Sequence, residues 1–174
     1  MGRGAVFLDR DGTIIDDVGY PNSPGQVRFK HGVVAALRKI SAIGWPLVVV
    51  SNQSGVGRGL ISRQQASAVH DRFVEVLTEE RVLLAGVYYC FHLPSDACGC
   101  RKPSPGMLRL AADELGFDLS ASVLIGDKTS DMEAGLACGC RCILIEEPPS
   151  EVGLRWSTSM DMESAAKMVL EVNP

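Results

Sequence analysis

The chain has 174 residues, of which 46% are hydrophobic and 22% charged, ordinary values for a globular domain with a substantial core. Its net charge of −4 excludes a broadly basic, nucleic-acid-tracking surface, although local basic groups can still bind a small anion. The longest apolar runs, such as 45–50, fall far short of the ~20 residues of a membrane helix, and 5–8 is too short for a signal-peptide core, so no membrane association and a cytoplasmic address are expected.

Short apolar runs alternate with longer amphipathic ones along the chain. Ala5 to Leu8 is the first predicted strand, ending at Asp9. The spacing of Val33, Val34, Leu37, Ile40 and Ala42 predicts a helix over 31–43, stopped by Gly44. Leu47 to Val50 reads as the second strand, ending at Ser51. Ser62 is placed to cap a helix over 63–81 that puts Ala66, Val69, Phe73, Val76 and Leu77 on one face. A strand over 86–91, a helix over 105–115 stopped by Gly116, a strand over 122–126, a helix through Met132 to Leu136 and a strand over 142–145 follow. Pro148-Pro149 marks a linker to a closing helix over 160–172, which carries Met162, Ala165, Ala166, Val169 and Leu170 at helical spacing. The repeated βα units predict an α/β fold: a Rossmann-like, mainly parallel sheet with helices on both faces, as one domain over 1–174.

Polar segments sit directly after the predicted strands, where open α/β sheets gather their ligands. In Phe7-Leu8-Asp9-Arg10-Asp11-Gly12-Thr13, two carboxylates one residue apart leave a strand into a glycine-bearing turn. Asp9, at the strand end, can attack phosphorus and form an aspartyl phosphate. Asp11 can protonate the leaving oxygen and then take a proton from the hydrolytic water. As an isolated pair the two would equally well shape a turn; the apolar strand before them and Gly-Thr after them favour chemistry. Asp127 ends the fourth strand in the same manner and is placed as a further oxygen donor for Mg²⁺. Asp131, four residues on, is open between positioning a metal-bound water, orienting Lys128 and serving as an ordinary first-turn acid. Lys102 has the charge to bind a transferring phosphoryl group and hold Asp9, and the Ser51 hydroxyl and following amides can bind other phosphoryl oxygens.

The six cysteines form two groups. Cys90, His92, Cys98 and Cys100 supply three sulfurs and one imidazole within eleven positions, the complement of a filled tetrahedral Zn²⁺ site of structural type. This zinc-pinned loop adjoins Arg101 and Lys102 and would fix both cations in place. Cys138, Cys140 and Cys142 have no histidine beside them and read as reduced packing residues. His31 and His70 attract no role.

Together these ordered segments, from about Ala5 to Ile145, resemble the haloacid dehalogenase superfamily of phosphohydrolases. That resemblance implies Asp9 as nucleophile, Asp11 as general acid/base, and Ser51 and Lys102 as phosphoryl-stabilising groups. It also implies Mg²⁺ held by Asp9, the backbone carbonyl of Asp11, and Asp127. No inserted cap domain is visible, so no large lid is expected, and a monomer acting on a phosphorylated small molecule is the expected form.

The zinc loop points to a branch. Asp17-Val18-Gly19-Tyr20, Ser51-Asn52-Gln53-Ser54-Gly55, Cys100-Arg101-Lys102-Pro103 and Gly126-Asp127-Lys128 are similar to the D-glycero-D-manno-heptose 1,7-bisphosphate phosphatases, which take one phosphate from a bisphosphorylated sugar. By that resemblance Asp17, Gly19, Tyr20, Asn52, Gln53, Ser54, Arg101 and Lys128 line the substrate site. Arg101 suits bidentate grip of a second phosphate, and 55–59 reads as a flexible cationic loop. Only five residues separate His92 from Cys98, a short loop that resembles the histidinol-phosphate phosphatase relatives at least as much. The 17–20 and 52–55 segments and Lys128 favour the heptose. From another class, a zinc-stabilised binding module without catalysis is disfavoured because Asp9, Asp11, Lys102 and Asp127 are all present.

Overall fold

The computed structural model describes residues 2–146 and 155–171. In chain order the elements are β1 (Val6–Leu8), α1 (Val33–Ala42), β2 (Leu47–Asn52), α2 (Ser54–Gly57), α3 (Arg63–Glu79), β3 (Leu84–Cys90), α4 (Gly106–Leu115), β4 (Val123–Gly126), α5 (Thr129–Leu136), β5 (Arg141–Ile145), β6 (Ser157–Ser159) and α6 (Met162–Leu170). The strands form one sheet in the order β3-β2-β1-β4-β5-β6, and every pairing is parallel. The order reverses direction around β1, which creates the crevice where parallel α/β sheets bind ligands.

Period-two alternation in the strands decides which layer each residue joins. Val6, Leu8, Val49, Ile125 and Ile143 face one way and pack with Leu37 and Ile40 of α1, Phe73 and Leu77 of α3, and Met162 and Ala165 of α6. Ala5, Phe7, Val48, Val50, Leu124 and Leu144 face the other way, onto Leu108 and Ala111 of α4 and Met132 and Ala134 of α5. Both faces are therefore covered, as a parallel sheet requires. Each fully buried aliphatic or aromatic side chain contributes about 1.5–3 kcal/mol relative to exposure.

Between β1 and α1 the chain folds back on itself. Ile15 makes a parallel bridge to Asp11 and an antiparallel one to Phe29, while Ile14 and Ile15 are fully buried. The Phe29 ring stacks on Phe73 at 5.7 Å between centroids, tying this segment to α3. The segment behind Asp9 is thus anchored in the core.

Boundaries depart from expectation in physically readable ways. β2 runs on to Asn52, because Ser51 and Asn52 continue the pairing with Tyr89 and Cys90. β3 begins at Leu84 and ends at Cys90, so Phe91 lies outside it. The start of 55–59, expected as a flexible loop, belongs to the helical turn Ser54–Gly57, whose Gly55 backbone accepts from Leu60 and Ile61. β6 carries Ser-Thr-Ser and no apolar alternation, so it joins the sheet by backbone pairing with β5. The Pro148-Pro149 linker and the end of the closing helix at Val172 lie outside the described residues.

The helix ends follow local chemistry. Ser62 and Gln65 exchange side-chain-to-backbone hydrogen bonds of 3.1 and 2.8 Å at the start of α3, a capping box. α4 stops at Gly116, which takes a φ of 73°. Asp161 caps α6 by accepting from the Ser164 backbone at 2.7 Å, and those bonds hold its carboxyl below the usual range. An acid held low when folded contributes stability above its ordinary pKa and loses it as pH falls through the folded value. Asp161→Ala is expected to lower unfolding free energy by about 1 kcal/mol at pH 7. Urea titrations should show that difference closing as pH drops below the normal carboxylate range.

Candidate active site

At the carboxyl edge of the sheet, β1 delivers Asp9, β2 delivers Ser51, β4 delivers Asp127, and the start of α5 delivers Asp131. The segment after the cysteine loop brings Lys102 into their midst. Its Nζ lies 2.7 Å from Asp9 Oδ1, 2.6 Å from Asp131 Oδ1 and 2.7 Å from the Val50 carbonyl oxygen, with the side chain 1% exposed. Burial by itself would lower the Lys102 pKa. Asp9 and then Asp131 more than offset that and raise it, so the ammonium is charged. The Lys102 main chain is held as firmly: Asn52 donates Nδ2 to its carbonyl at 3.0 Å and accepts its N–H at 3.1 Å.

Single carboxylate oxygens of Asp9, Asp127 and Asp131 lie within 4.8 Å of one another. Asp127 is raised by burial and by the neighbouring Asp9 charge. Burial is also the main cause raising Asp131 to about 6, with Lys102 opposing it. Converging hard oxygen donors that repel one another fit a divalent cation such as Mg²⁺. A second observation fits too. Gly12 sits at φ 90°, and a Cβ there would lie 2.2 Å from Asp127 Oδ2. The backbone and the Asp127 carboxylate are therefore packed too closely for any side chain. Thr13 adds a hydroxyl bond to Asp127 Oδ1 at 3.1 Å.

Both oxygens of Asp131 have partners. Its Oδ1 holds Lys102, and its Oδ2 accepts the Lys128 backbone N–H at 3.1 Å. It therefore supports the buried lysine and caps α5, and the Lys128 ammonium goes elsewhere, to Asp17 Oδ2 at 3.1 Å.

Asp11 turns its carboxylate away from this cluster. Arg10 donates Nε to Oδ1 at 3.1 Å and Nη2 to Oδ2 at 2.9 Å, and Gln53 Nε2 also donates to Oδ2. Gln53 Nε2 lies 3.2 Å from Ser51 Oγ as well, which places the serine hydroxyl beside the same group. Arg10 Nη1 continues to the Tyr89 hydroxyl at 3.3 Å, and that hydroxyl reaches His70 Nδ1 at 3.2 Å. Burial lowers the His70 pKa, with Asp71 opposing and Arg10 aiding, which favours the neutral ring.

Of the expected substrate-lining residues, Asp17, Gly19, Tyr20 and Lys128 gather on the outer side. Asp17 accepts the Gly19 N–H at 2.9 Å, and Tyr20 lies so close to Gly55 that a Cβ there would come within 2.7 Å of its ring. Ser54 is buried at the start of α2. Asn52, also expected to line the substrate, uses both ends of its amide on the Lys102 backbone and so supports the site from behind. Arg101 lies over the cysteine loop, with Nη1 at 3.4 Å from the His92 carbonyl oxygen.

The cysteine loop closes as expected. Sulfur–sulfur separations among Cys90, Cys98 and Cys100 are 3.2, 3.5 and 3.6 Å, and His92 Nδ1 lies 3.6 and 3.3 Å from Cys90 and Cys100. Metal–sulfur bonds of about 2.3 Å give tetrahedral edges near 3.8 Å, so this cluster is compatible with a zinc site after slight expansion. Cys140 and Cys142 are buried in the core of the α4/α5 face and Cys138 packs against it, in line with the packing role. Arg10, Tyr89 and His70 were not legible as site residues. The available signal was the charged residue between two aspartates, which strand alternation would have placed facing away.

The family model for HAD-hydrolase-like proteins matches residues 99–148, the stretch with Cys100, Lys102, Asp127 and Asp131. The D-glycero-β-D-manno-heptose-1,7-bisphosphate 7-phosphatase of Yersinia pestis is 42% identical over 140 residues, covering 76% of this chain and 74% of that protein. The chain belongs to this phosphatase family. The family member from Escherichia coli K12 is 43% identical, over 76% of this chain and 73% of its own. The crystal structure of a D,D-heptose 1,7-bisphosphate phosphatase from B. bronchiseptica, complexed with magnesium and phosphate, superposes with a TM-score of 0.87 at 28% identity, covering 97% of this chain and 98% of that one. As a member of the family the chain is a phosphoric monoester hydrolase of the haloacid dehalogenase superfamily. No helix among the described residues is long and apolar enough to cross a membrane.

The Gly12 contact generates a direct prediction. Gly12→Ala forces Asp127 out of place, and a shift of about 1 Å in such a site costs on the order of 100-fold in kcat. Steady-state phosphate release checks it, with circular dichroism establishing that the variant folds.

Proposed function

We propose that the chain removes the 7-phosphate of D-glycero-β-D-manno-heptose 1,7-bisphosphate. The observation that carries the reading is the buried Asp9–Lys102–Asp131 group with Asp127 and Asp11 around it. The substrate rests on the names of relatives 42–43% identical over 140 residues.

In this mechanism an oxygen of Asp9 attacks phosphorus in line with the sugar oxygen. The P–O bond to that oxygen breaks as Asp11 hands it a proton, leaving an aspartyl phosphate and a free sugar hydroxyl. Asp11, now ionised, takes a proton from water. The water oxygen attacks phosphorus, and the Asp9–phosphorus bond breaks to release inorganic phosphate. Lys102 orients Asp9 and, with Ser51 and the amides after it, stabilises charge on the phosphoryl oxygens. Asp9, Asp127 and the Asp11 carbonyl would hold Mg²⁺. When bound, the ion supplies charge neutralisation between the phosphoryl group and the attacking carboxylate. Arg101, Lys128, Asp17, Gly19, Tyr20, Gln53 and Ser54 surround the sugar and its second phosphate, with Arg101 as the bidentate grip.

Cys90, His92, Cys98 and Cys100 would hold Zn²⁺ with no open position, giving it the role of a clamp beneath Arg101 and Lys102. The protein acts in this reading as a monomeric cytoplasmic enzyme.

Asp9→Asn is expected to bring Mg²⁺-dependent phosphate release down to background. On the wild type, heptose 1,7-bisphosphate should exceed histidinol phosphate in kcat/KM by about 100-fold or more. A reversed preference would retain the Asp9 chemistry and overturn the substrate. A strong chelator is expected to release about one Zn²⁺ per chain, measured by elemental analysis, and to lower the melting temperature. Cys100→Ser should do the same, and native protein free of zinc would refute the clamp.

A further inference from the structure

Arg10 is among the largest fully buried side chains of the protein, at 2% exposure, and it is charged. A guanidinium at that depth is costly unless its donors are satisfied. Its donors go to Asp11 twice and to Tyr89 once, and its carbon Cζ also sits 5.2 Å from the centre of the Tyr89 ring. Tyr89 in turn is fixed by His70 of α3, through the 3.2 Å hydroxyl contact and an edge-on ring contact with centroids 5.6 Å apart.

The ion pair joins neighbouring residues of the chain, so it ties no two elements together. Its main consequence is to fix the direction of the Asp11 side chain. The tertiary anchor enters one step further out: Tyr89 on β3 and His70 on α3 hold the guanidinium, and the guanidinium holds both oxygens of Asp11. Gln53 of β2's trailing turn adds a third donor from the side. Asp11 lies in the turn beyond β1, so these three donors are what set the direction of its carboxylate.

We propose that Arg10, braced by Tyr89 and His70, is the positioning residue that aims Asp11 at the leaving-group oxygen and thereby governs proton delivery. This rests on the reading of Asp11 as general acid. The residue acts through Asp11, to which two of its nitrogens donate.

A misaimed acid penalises substrates according to how badly their leaving group needs a proton. The sugar alkoxide needs one, while the p-nitrophenolate of p-nitrophenyl phosphate departs without it. The informative quantity is kcat/KM, which covers the steps through leaving-group departure and excludes the hydrolysis of the aspartyl phosphate common to both substrates. Lysine cannot reproduce the bidentate fork, so Arg10→Lys is the test variant. It is expected to lose about 10- to 100-fold on the heptose bisphosphate and less than about threefold on the aryl ester. Tyr89→Phe keeps the ring but removes the hydroxyl, and should show the same discrimination at smaller size.

Asp11→Asn is measured alongside. If it loses equally on both substrates, the general-acid reading of Asp11 falls and the Arg10 proposal falls with it. If Asp11→Asn discriminates while Arg10→Lys loses equally on both, or loses nothing, Arg10 is structural and the proposal alone is overturned. Melting temperature establishes that each variant folds. Should Arg10→Lys fail to fold, Tyr89→Phe decides by the same criterion.

Discussion

The site depends on one buried ammonium. Lys102 arrives from a loop far along the chain and ends among Asp9 of the first strand, Asp131 of the fifth helix and the carbonyl of Val50 on the second strand. A lysine this deep is stable only with its charge matched, and two carboxylates this close are stable only with a cation between them. Each therefore requires the others, and their common requirement draws two strand ends, the start of a helix and a loop to one point. The remaining carboxylate, Asp127, stands beside that group with its charge unmatched except at the rim by Lys128, at 3.9 Å. A divalent cation is the natural complement.

The peripheral structure serves this arrangement by fixing backbones. Asn52 binds both polar groups of the Lys102 peptide unit. The cysteine cluster gathers 90–100 immediately before Lys102. The Gly106 amide bonds the Gly99 carbonyl at 2.9 Å, where a side chain would collide, so α4 is seated directly against the loop. A metal ion held by that cluster would be an economical means of ordering a short loop without a core of its own. The result is a cationic segment held rigidly from three sides in a protein with no large covering domain among its described residues.

A second polar group lies on the other flank and is chemically separate. Asp11, Arg10, Tyr89 and His70 run outward from the turn across β3 to α3, while Asp9, Lys102 and Asp131 run inward. The two carboxylates of the Asp-x-Asp pair thus belong to different networks, one centred on an ammonium and one on a guanidinium. In the proposed mechanism that separation suits two roles at one phosphorus atom: one oxygen held as attacking group, the other held for protons.

Much of this was determined by sequence alone. Alternating apolar runs fix layer membership, so the parallel α/β sheet, its helices and the convergence of Asp9, Ser51 and Asp127 at one edge followed from period and position. The Cys90-His92-Cys98-Cys100 spacing pointed to a four-residue cluster because local chain geometry suffices to bring these side chains together. Tertiary structure decided what depends on approach between distant segments. Asn52 binds the Lys102 backbone, Asp131 pairs with Lys102, and 54–57 form a helical turn, because each is set by what packs against it. β6 carries no apolar pattern, and only the exposed edge of β5 makes Ser157–Ser159 a strand. Arg10 was hidden for the same reason: sequence places a charge beside Asp11, but only the fold supplies the half-buried tyrosine and histidine that hold it.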